Sequence, residues 1–204
     1  MNTLYTFPLD FEKEVNQTTY YWFEEGFTPE ELTWIEQQVQ EIPLQTAITE
    51  NGAQDQGENL DSRNSSVRWV PFSEKTKWIY DKIGDLVNIA NTELFKFDLY
   101  NMPENIQYTE YYGTNKGHYD WHMDVGSSGF MKFRKLSVTV QLSGPEEYEG
   151  GDLQIWSGGQ YPNTAPRGKG NVVIFPSFMM HRVTPVTKGT RKSFVLWLGG
   201  GHYK

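Results

Sequence analysis

From about residue 95 to the C-terminus, short strand-like stretches alternate with Gly- and Pro-containing turns, and this pattern limits the fold more than any other feature. Phe95, Phe97 and Leu99 alternate with polar neighbours. Gln107–Tyr112, Leu136–Leu142, Leu153–Trp156, Asn171–Phe175, Arg182–Val186 and Arg191–Leu198 then read as strands. Between them lie Gly113, Gly117, Ser143-Gly144-Pro145, Gly150-Gly151, Ser157-Gly158-Gly159, Gly168 and Lys188-Gly189. Many short strands with such punctuation predict a double-sheet jelly roll or a barrel.

The upstream part reads differently. Residues 1–25 suggest a short strand, a polar link and an aromatic segment, Tyr20-Tyr21-Trp22-Phe23. Thr28, Pro29 and Glu31 then form a helix start: a cap, a proline at the first helical position and a Thr-x-x-Glu capping box. Leu32, Ile35, Val39 and Ile42 recur at helical spacing up to Pro43. A polar, Gly-containing loop covers residues 51–66, Val67–Val70 reads as a strand, and Ser73 is the expected cap of a second helix carrying Trp78, Ile83, Leu86, Val87 and Ala90. The expectation is one domain over 1–204, mainly β with N-terminal helices, in which 1–94 supply helical support and the polar loop and 95–204 the jelly-roll core.

Composition narrows the function classes. The chain has 204 residues, enough for one sizeable core. It has no Cys, which excludes disulfides and cysteine-ligated metal sites. No apolar run is long enough for a membrane span, and Met1–Tyr5 lacks a signal-peptide pattern, so a cytoplasmic location is expected. The net charge of -8 speaks against a general nucleic-acid surface. Residues 1–130 hold 22 Asp/Glu against 8 Lys/Arg, whereas residues 131–204 hold 4 against 10, so the second half is basic. It could line a cleft for an anionic ligand, or these could be ordinary solvated charges.

The chemistry-bearing stretch is Tyr111–Asp124, which ends in His122-Met123-Asp124. Side chains two apart in an extended strand share a face, so His122 and Asp124 could ligate one ion. A later apolar segment, Val172–His181, supplies His181. Two imidazoles and a carboxylate with other positions open describe the facial triad of non-haem Fe(II) oxygenases. His-x-Asp alone is common, and a single strand histidine is more often structural. The conjunction with His181 and with Arg191 ten residues beyond it raises the reading. Arg191 and Ser193 share a strand face, a socket suited to a carboxylate; a surface ion pair is the plain alternative for Arg191. His118 and His122 are four apart, but Tyr119 stands where the helical zinc-protease motif needs Glu, so that reading is rejected and His118 is expected to be structural, like His202. Tyr112, Tyr119 and Trp197 could equally be pocket wall or core.

Together these residues resemble the 2-oxoglutarate/Fe(II)-dependent oxygenases, in the prolyl-4-hydroxylase-like branch. Tyr112, Tyr119, His122 and Asp124 meet the pattern Tyr-x6-Tyr-x2-His-x-Asp, and His181 and Arg191 meet His-x9-Lys/Arg. Glu149-Gly150-Gly151-Asp152-Leu153 looks like the family's Gly-Gly-acidic turn, Thr28–Leu32 like its opening helix, and Trp197 stands where the branch often has Trp. One departure is that Gln141 occupies the position where several protein-acting prolyl hydroxylases have a Tyr, with Thr139 on the same face.

The resemblance implies a double-stranded β-helix, with Fe(II) on His122, Asp124 and His181 as both metal ligands and catalytic centre. It implies that 2-oxoglutarate chelates that iron near Tyr112, with its C5 carboxylate on Arg191 assisted by Ser193 or Gln141. Val140, Leu153 and Val195 would be apolar walls, and Tyr119 and Trp197 substrate-pocket residues. The expected reaction uses O2, releases succinate and CO2, and hydroxylates an unactivated C–H bond; ascorbate is a supporting candidate. A prolyl or other peptidyl side chain, gripped between loops 51–66 and 126–134, is the leading substrate. A free amino acid or other small molecule is the alternative within the class. Outside it stand a non-catalytic jelly-roll binding module and a cupin-like enzyme that ignores 2-oxoglutarate. No nucleic-acid or membrane partner is expected.

Overall fold

The computed structural model describes residues 19–46, 49–51, 55–57 and 60–201, without the side chains of 46–59. The readings made for residues 1–18, for His202 and for residues 52–54 and 58–59 of the 51–66 loop lie outside the described residues; the rest of that expected loop includes the strands Asp55–Gly57 and Arg63–Asn64. Two antiparallel sheets face each other. In the larger, the strands run in the order Tyr21–Phe23, Val172–Pro176, Arg134–Gln141, Val186–Gly200, Ile106–Tyr112, Ser66–Val70 and Gln45–Thr46. Leu99–Asn101 and Tyr148–Gly150 also pair with the long Val186–Gly200 strand. The smaller sheet has the order Asn163–Thr164, Leu153–Trp156, Met180–Val183, His118–His122 and Arg63–Asn64. A separate hairpin pairs Thr49–Asn51 with Asp55–Gly57. This is the expected jelly-roll arrangement of two facing sheets.

The first helix, Pro29–Val39, starts as the sequence predicts: Thr28 accepts from the Glu31 amide while Glu31 accepts from the Thr28 amide, a complete capping box. It ends at Val39, before Ile42. The second helix runs from Lys77 to Ala90, later than Ser73, because Ser73 closes a turn with Thr76 that precedes the helix. Leu32, Ile35, Ile79, Ile83 and Val87 point from the two helices onto Tyr108, Val138, Val140, Ile174, Phe194 and Leu196 of the larger sheet. Each fully buried large aliphatic side chain in this layer contributes about 1.5–3 kcal/mol.

Two local expectations change. The alternation at Phe95–Leu99 is not a strand: residues 91–95 extend the second helix as a wider turn, and Asn91 holds the backbone of Phe97 through two side-chain hydrogen bonds of 2.9 Å. Pairing starts only at Leu99. Val140 does not wall the site. It lies between Thr139 and Gln141 on the central strand and so faces the helices.

That alternation organises the molecule. Along three neighbouring strands, one face buries apolar residues under the helices. The other presents Gln107, Thr109 and Tyr111, Ser137, Thr139 and Gln141, and Arg191, Ser193, Val195 and Trp197 towards the smaller sheet.

Candidate active site

His122 closes its strand and pairs directly with His181 across the smaller sheet. Asp124 follows two residues later, where its amide donates to the Ser177 carbonyl at 2.9 Å. One ligand atom from each of the three lies within 4.8 Å of the others. The Nε2 of His122 is 3.6 Å from Oδ1 of Asp124, and that of His181 is 3.5 Å from Oδ2. Both imidazoles are oriented from behind: Nδ1 of His122 contacts the Asp120 carbonyl at 2.7 Å and Nδ1 of His181 the Met179 carbonyl at 2.8 Å. A carbonyl only accepts, so each Nδ1 carries the proton and each Nε2 keeps its lone pair for the shared point.

The charge states suit a cation. Burial, then electrostatic repulsion from the neighbouring His181, pushes His122 down to about 3, so the imidazole is neutral at physiological pH. Burial alone would raise the Asp124 carboxyl; His181, His122, Arg134 and a hydrogen bond from Ser137 outweigh it and hold the group at about 2. Two imidazole nitrogens and one carboxylate oxygen, on one side of an open cavity, match the donor set of non-haem Fe(II) sites.

The cavity in front of this triad has a volume of about 600 Å³ and lies between the two sheets. On its floor Arg191 is only 1% exposed. Its Nη1 donates to Ser193 Oγ at 3.2 Å and its Nη2 to Gln141 Oε1 at 3.1 Å, while its Nε has no partner among the described residues. Among the described residues no carboxylate pairs with it. A buried guanidinium with only neutral acceptors has lost hydration worth several kcal/mol without a counter-ion, which is the signature of an anion-binding socket. The Gly150-Gly151 turn gives it room. Gly151 has φ +66°, and a Cβ there would lie 3.1 Å from Arg191 Cδ and 2.9 Å from Val186 Cγ2.

Tyr119 lines the cavity and stacks on His122, with ring centroids 3.5 Å apart, and its burial pushes the phenol up to about 12. Trp197 lines it with the Arg134 guanidinium 3.7 Å over its ring, and Leu153 and Val195 are walls as expected. Tyr112 is different. It shares a strand face with Tyr108 and Glu110, pointing away from the cavity, and Tyr111 takes the inward place beneath Arg191. His118 is fixed by the carbonyls of Lys116 and Asp61, a structural role. Ser128, Phe130, Met131 and Arg134 of the 126–134 segment line the cavity, as do Ser62 and Arg63.

Sequence reasoning did not single out Arg63, Gln107, Tyr111, Arg134 or Ser137. Arg134 donates to the Asp124 carbonyl at 3.1 Å and forms a two-pronged pair with Glu104 at 2.6 and 2.7 Å. Nothing local distinguishes these residues, because each acts through a partner far away in the chain.

Residues 106–199 match the sequence model of the 2OG-Fe(II) oxygenase superfamily. A PKHD-type hydroxylase of Klebsiella pneumoniae is 40% identical over 86 residues, which is 39% of this chain and 37% of that protein. The PKHD-type hydroxylase YbiX of Escherichia coli is 37% identical over 90 residues, or 41% and 39%. The matched stretch thus spans less than half of these relatives. A Pseudomonas putida prolyl-4-hydroxylase superposes with a TM-score of 0.70 at 16% identity over 90% of this chain and 94% of that one. A Trichoplax adhaerens prolyl hydroxylase, solved with a hypoxia-inducible-factor peptide fragment, gives 0.73 at 16% identity over 89% and 84%. At such identities these two show the fold. The stretch that carries the triad and Arg191 is thus similar in sequence to the 2OG-Fe(II) oxygenase superfamily. Iron and 2-oxoglutarate are the groups its site is built to hold.

Proposed function

We propose that the protein is a 2-oxoglutarate- and Fe(II)-dependent dioxygenase that hydroxylates an unactivated C–H bond, most readily that of a prolyl or other peptidyl side chain. The observation that carries this reading is the pairing of a convergent His122–Asp124–His181 face with the buried Arg191, which no carboxylate among the described residues meets, on the opposite wall of one cavity. A binding module has no need of both.

In this reading His122, Asp124 and His181 hold Fe(II). The metal with its cosubstrate supplies the oxidising chemistry, consuming O2 and 2-oxoglutarate and releasing succinate and CO2. The protein's own part is position and exclusion. Arg191, aided by Ser193 and Gln141, fixes the distal carboxylate of 2-oxoglutarate, and Tyr111, lying under that guanidinium, packs against the same region. Leu153, Phe175 and Val195 keep water from the reacting carbon. The peptidyl reading draws on the names of the two prolyl hydroxylases of like fold, one of them solved with a peptide, and on the exposed apolar rim, where Met123 and Phe130 stand beside the opening. Ascorbate remains an accessory candidate with no residue assigned to it.

The test is anaerobic titration of the Fe(II)-loaded protein with 2-oxoglutarate, followed by its weak visible metal-to-ligand charge-transfer band. A band that disappears in His181→Ala supports the reading. Iron binding without a band favours an enzyme that ignores the cosubstrate, and no iron binding overturns the metal site.

A further inference from the structure

Arg191 is not the only buried cation facing the cavity. Arg63 is 7% exposed and lies on the short strand that pairs with His118–His122, opposite Tyr119. Its Nε donates to Ser65 Oγ at 2.9 Å and its Nη2 to Gln107 Oε1 at 2.7 Å. Both partners are neutral, and Gln107 Oε1 also accepts from Thr109 at 3.2 Å. The guanidinium sits 4.6 Å from the centroid of the Tyr119 ring, which in turn stacks on His122. It is therefore one aromatic ring from a triad residue, with Nη1 making no hydrogen bond to the described protein. Among the described residues no carboxylate pairs with it.

The charges of the site make this residue informative, given the proposed iron and 2-oxoglutarate. Among the described residues, the acidic side chains lining the cavity are Glu104 and Asp124. Glu104 is taken by Arg134. A divalent iron, Asp124, doubly charged 2-oxoglutarate and Arg191 cancel one another. Among the described lining residues the charge left over is that of Arg63, packed against the Tyr119 ring. A desolvated guanidinium held by two neutral acceptors, with donors to spare, is arranged for an anion in fork geometry.

We propose that Arg63 is a second carboxylate subsite, which takes a carboxylate carried by the substrate itself. This rests on the iron and 2-oxoglutarate reading above. It narrows the substrate to a molecule whose hydroxylated carbon lies within a few bonds of a free carboxylate. The sources of that group are a free amino acid or the carboxyl end of a peptide. An internal, carboxylate-free prolyl segment would leave Arg63 buried and uncompensated.

The experiment uses the full chain, loaded anaerobically with Fe(II) and 2-oxoglutarate, and probes it with acetate and acetamide by ligand-observed NMR saturation transfer. Acetate is expected to bind saturably without moving the charge-transfer band, and acetamide not to bind. R63Q should weaken acetate at least tenfold and keep the band, while R63K, which keeps the charge but not the fork, should fall between. Displacement of acetate by free L-amino acids assigns the carboxylate to a small molecule. Displacement by N-acetylated tripeptides with free carboxyl ends, and not by amino acids, assigns it to a chain end. Equal acetate binding in wild type and R63Q, no binding, or displacement only by peptide amides overturns the proposal. Loss of the band in the wild type would instead remove the underlying oxygenase reading.

Discussion

Ser137 donates a 2.6 Å hydrogen bond to Oδ2 of Asp124, and its hydroxyl also contacts that of Ser177 at 2.9 Å. A residue of the larger sheet therefore orients a carboxylate that follows a strand of the smaller one. Such partners behind a ligand set its direction and basicity, and removing one costs about 10–100-fold in metal affinity. Ser137→Ala should raise the Fe(II) dissociation constant by roughly tenfold, about 1.4 kcal/mol. Metal titration checks this, with thermal unfolding expected to change little.

Arg191→Ala should weaken 2-oxoglutarate far more than iron. Truncating one partner of a buried, charge-assisted pair costs about 2–5 kcal/mol, which corresponds to a loss of at least about thirtyfold. Titration of the charge-transfer band in the iron-loaded variant reads it. Unchanged 2-oxoglutarate affinity would mean the anion sits elsewhere.

Gly151→Ala combines a positive φ with a Cβ pressed against Val186 and Arg191. The expected destabilisation is about 1–2 kcal/mol, a few degrees of Tm for a chain of this size. Because Arg191 must shift to relieve the contact, 2-oxoglutarate affinity should fall as well. A control at Gly129, where a Cβ meets nothing within 4 Å, should leave that affinity unchanged despite its own positive φ.

The metal-free protein should lose stability on acidification. His122 is held near 3 in the fold against 6.5 when free, so between those values the unfolded chain binds a proton that the folded chain does not. Stability contributed by the neutral imidazole is present above about pH 6.5 and drains away as pH falls towards 3. Asp124, lowered to about 2 from 3.8, adds a loss of the same sign below pH 3.8. Unfolding temperatures after chelator treatment should fall across this range, and His122→Gln should flatten the slope between pH 6.5 and 4. A wild-type profile already flat there would contradict the assignment.

Much of the architecture was legible because it depends on near neighbours in the chain. The Thr28–Glu31 capping box spans three residues, and the predicted strands around 107–112, 136–142, 153–156 and 172–175 follow a period of two. His122 and Asp124 were readable for the same reason. His181 and Arg191 became readable through spacing that resembles a known family. The Phe95–Leu99 alternation misled because the Asn91 side chain, a local feature with no periodic signature, captured the Phe97 backbone.

Periodicity says which residues share a face; it does not say which face meets the cavity. Tyr111 and Tyr112 are adjacent and chemically alike, and only pairing of their strand with Val186–Gly200 turns Tyr111 inward and Tyr112 outward. Val140 went to the helices by the same rule. The sequence by itself therefore determined the two-sheet class, the helix start and the candidate metal-ligand set. Tertiary structure alone decided that Ser137 and Arg134 support Asp124, that Arg191 is buried with no carboxylate partner among the described residues, and that Arg63 faces the triad across Tyr119. Those are relations between strands far apart in the chain, created when two sheets close over one cavity and strip water from its charges.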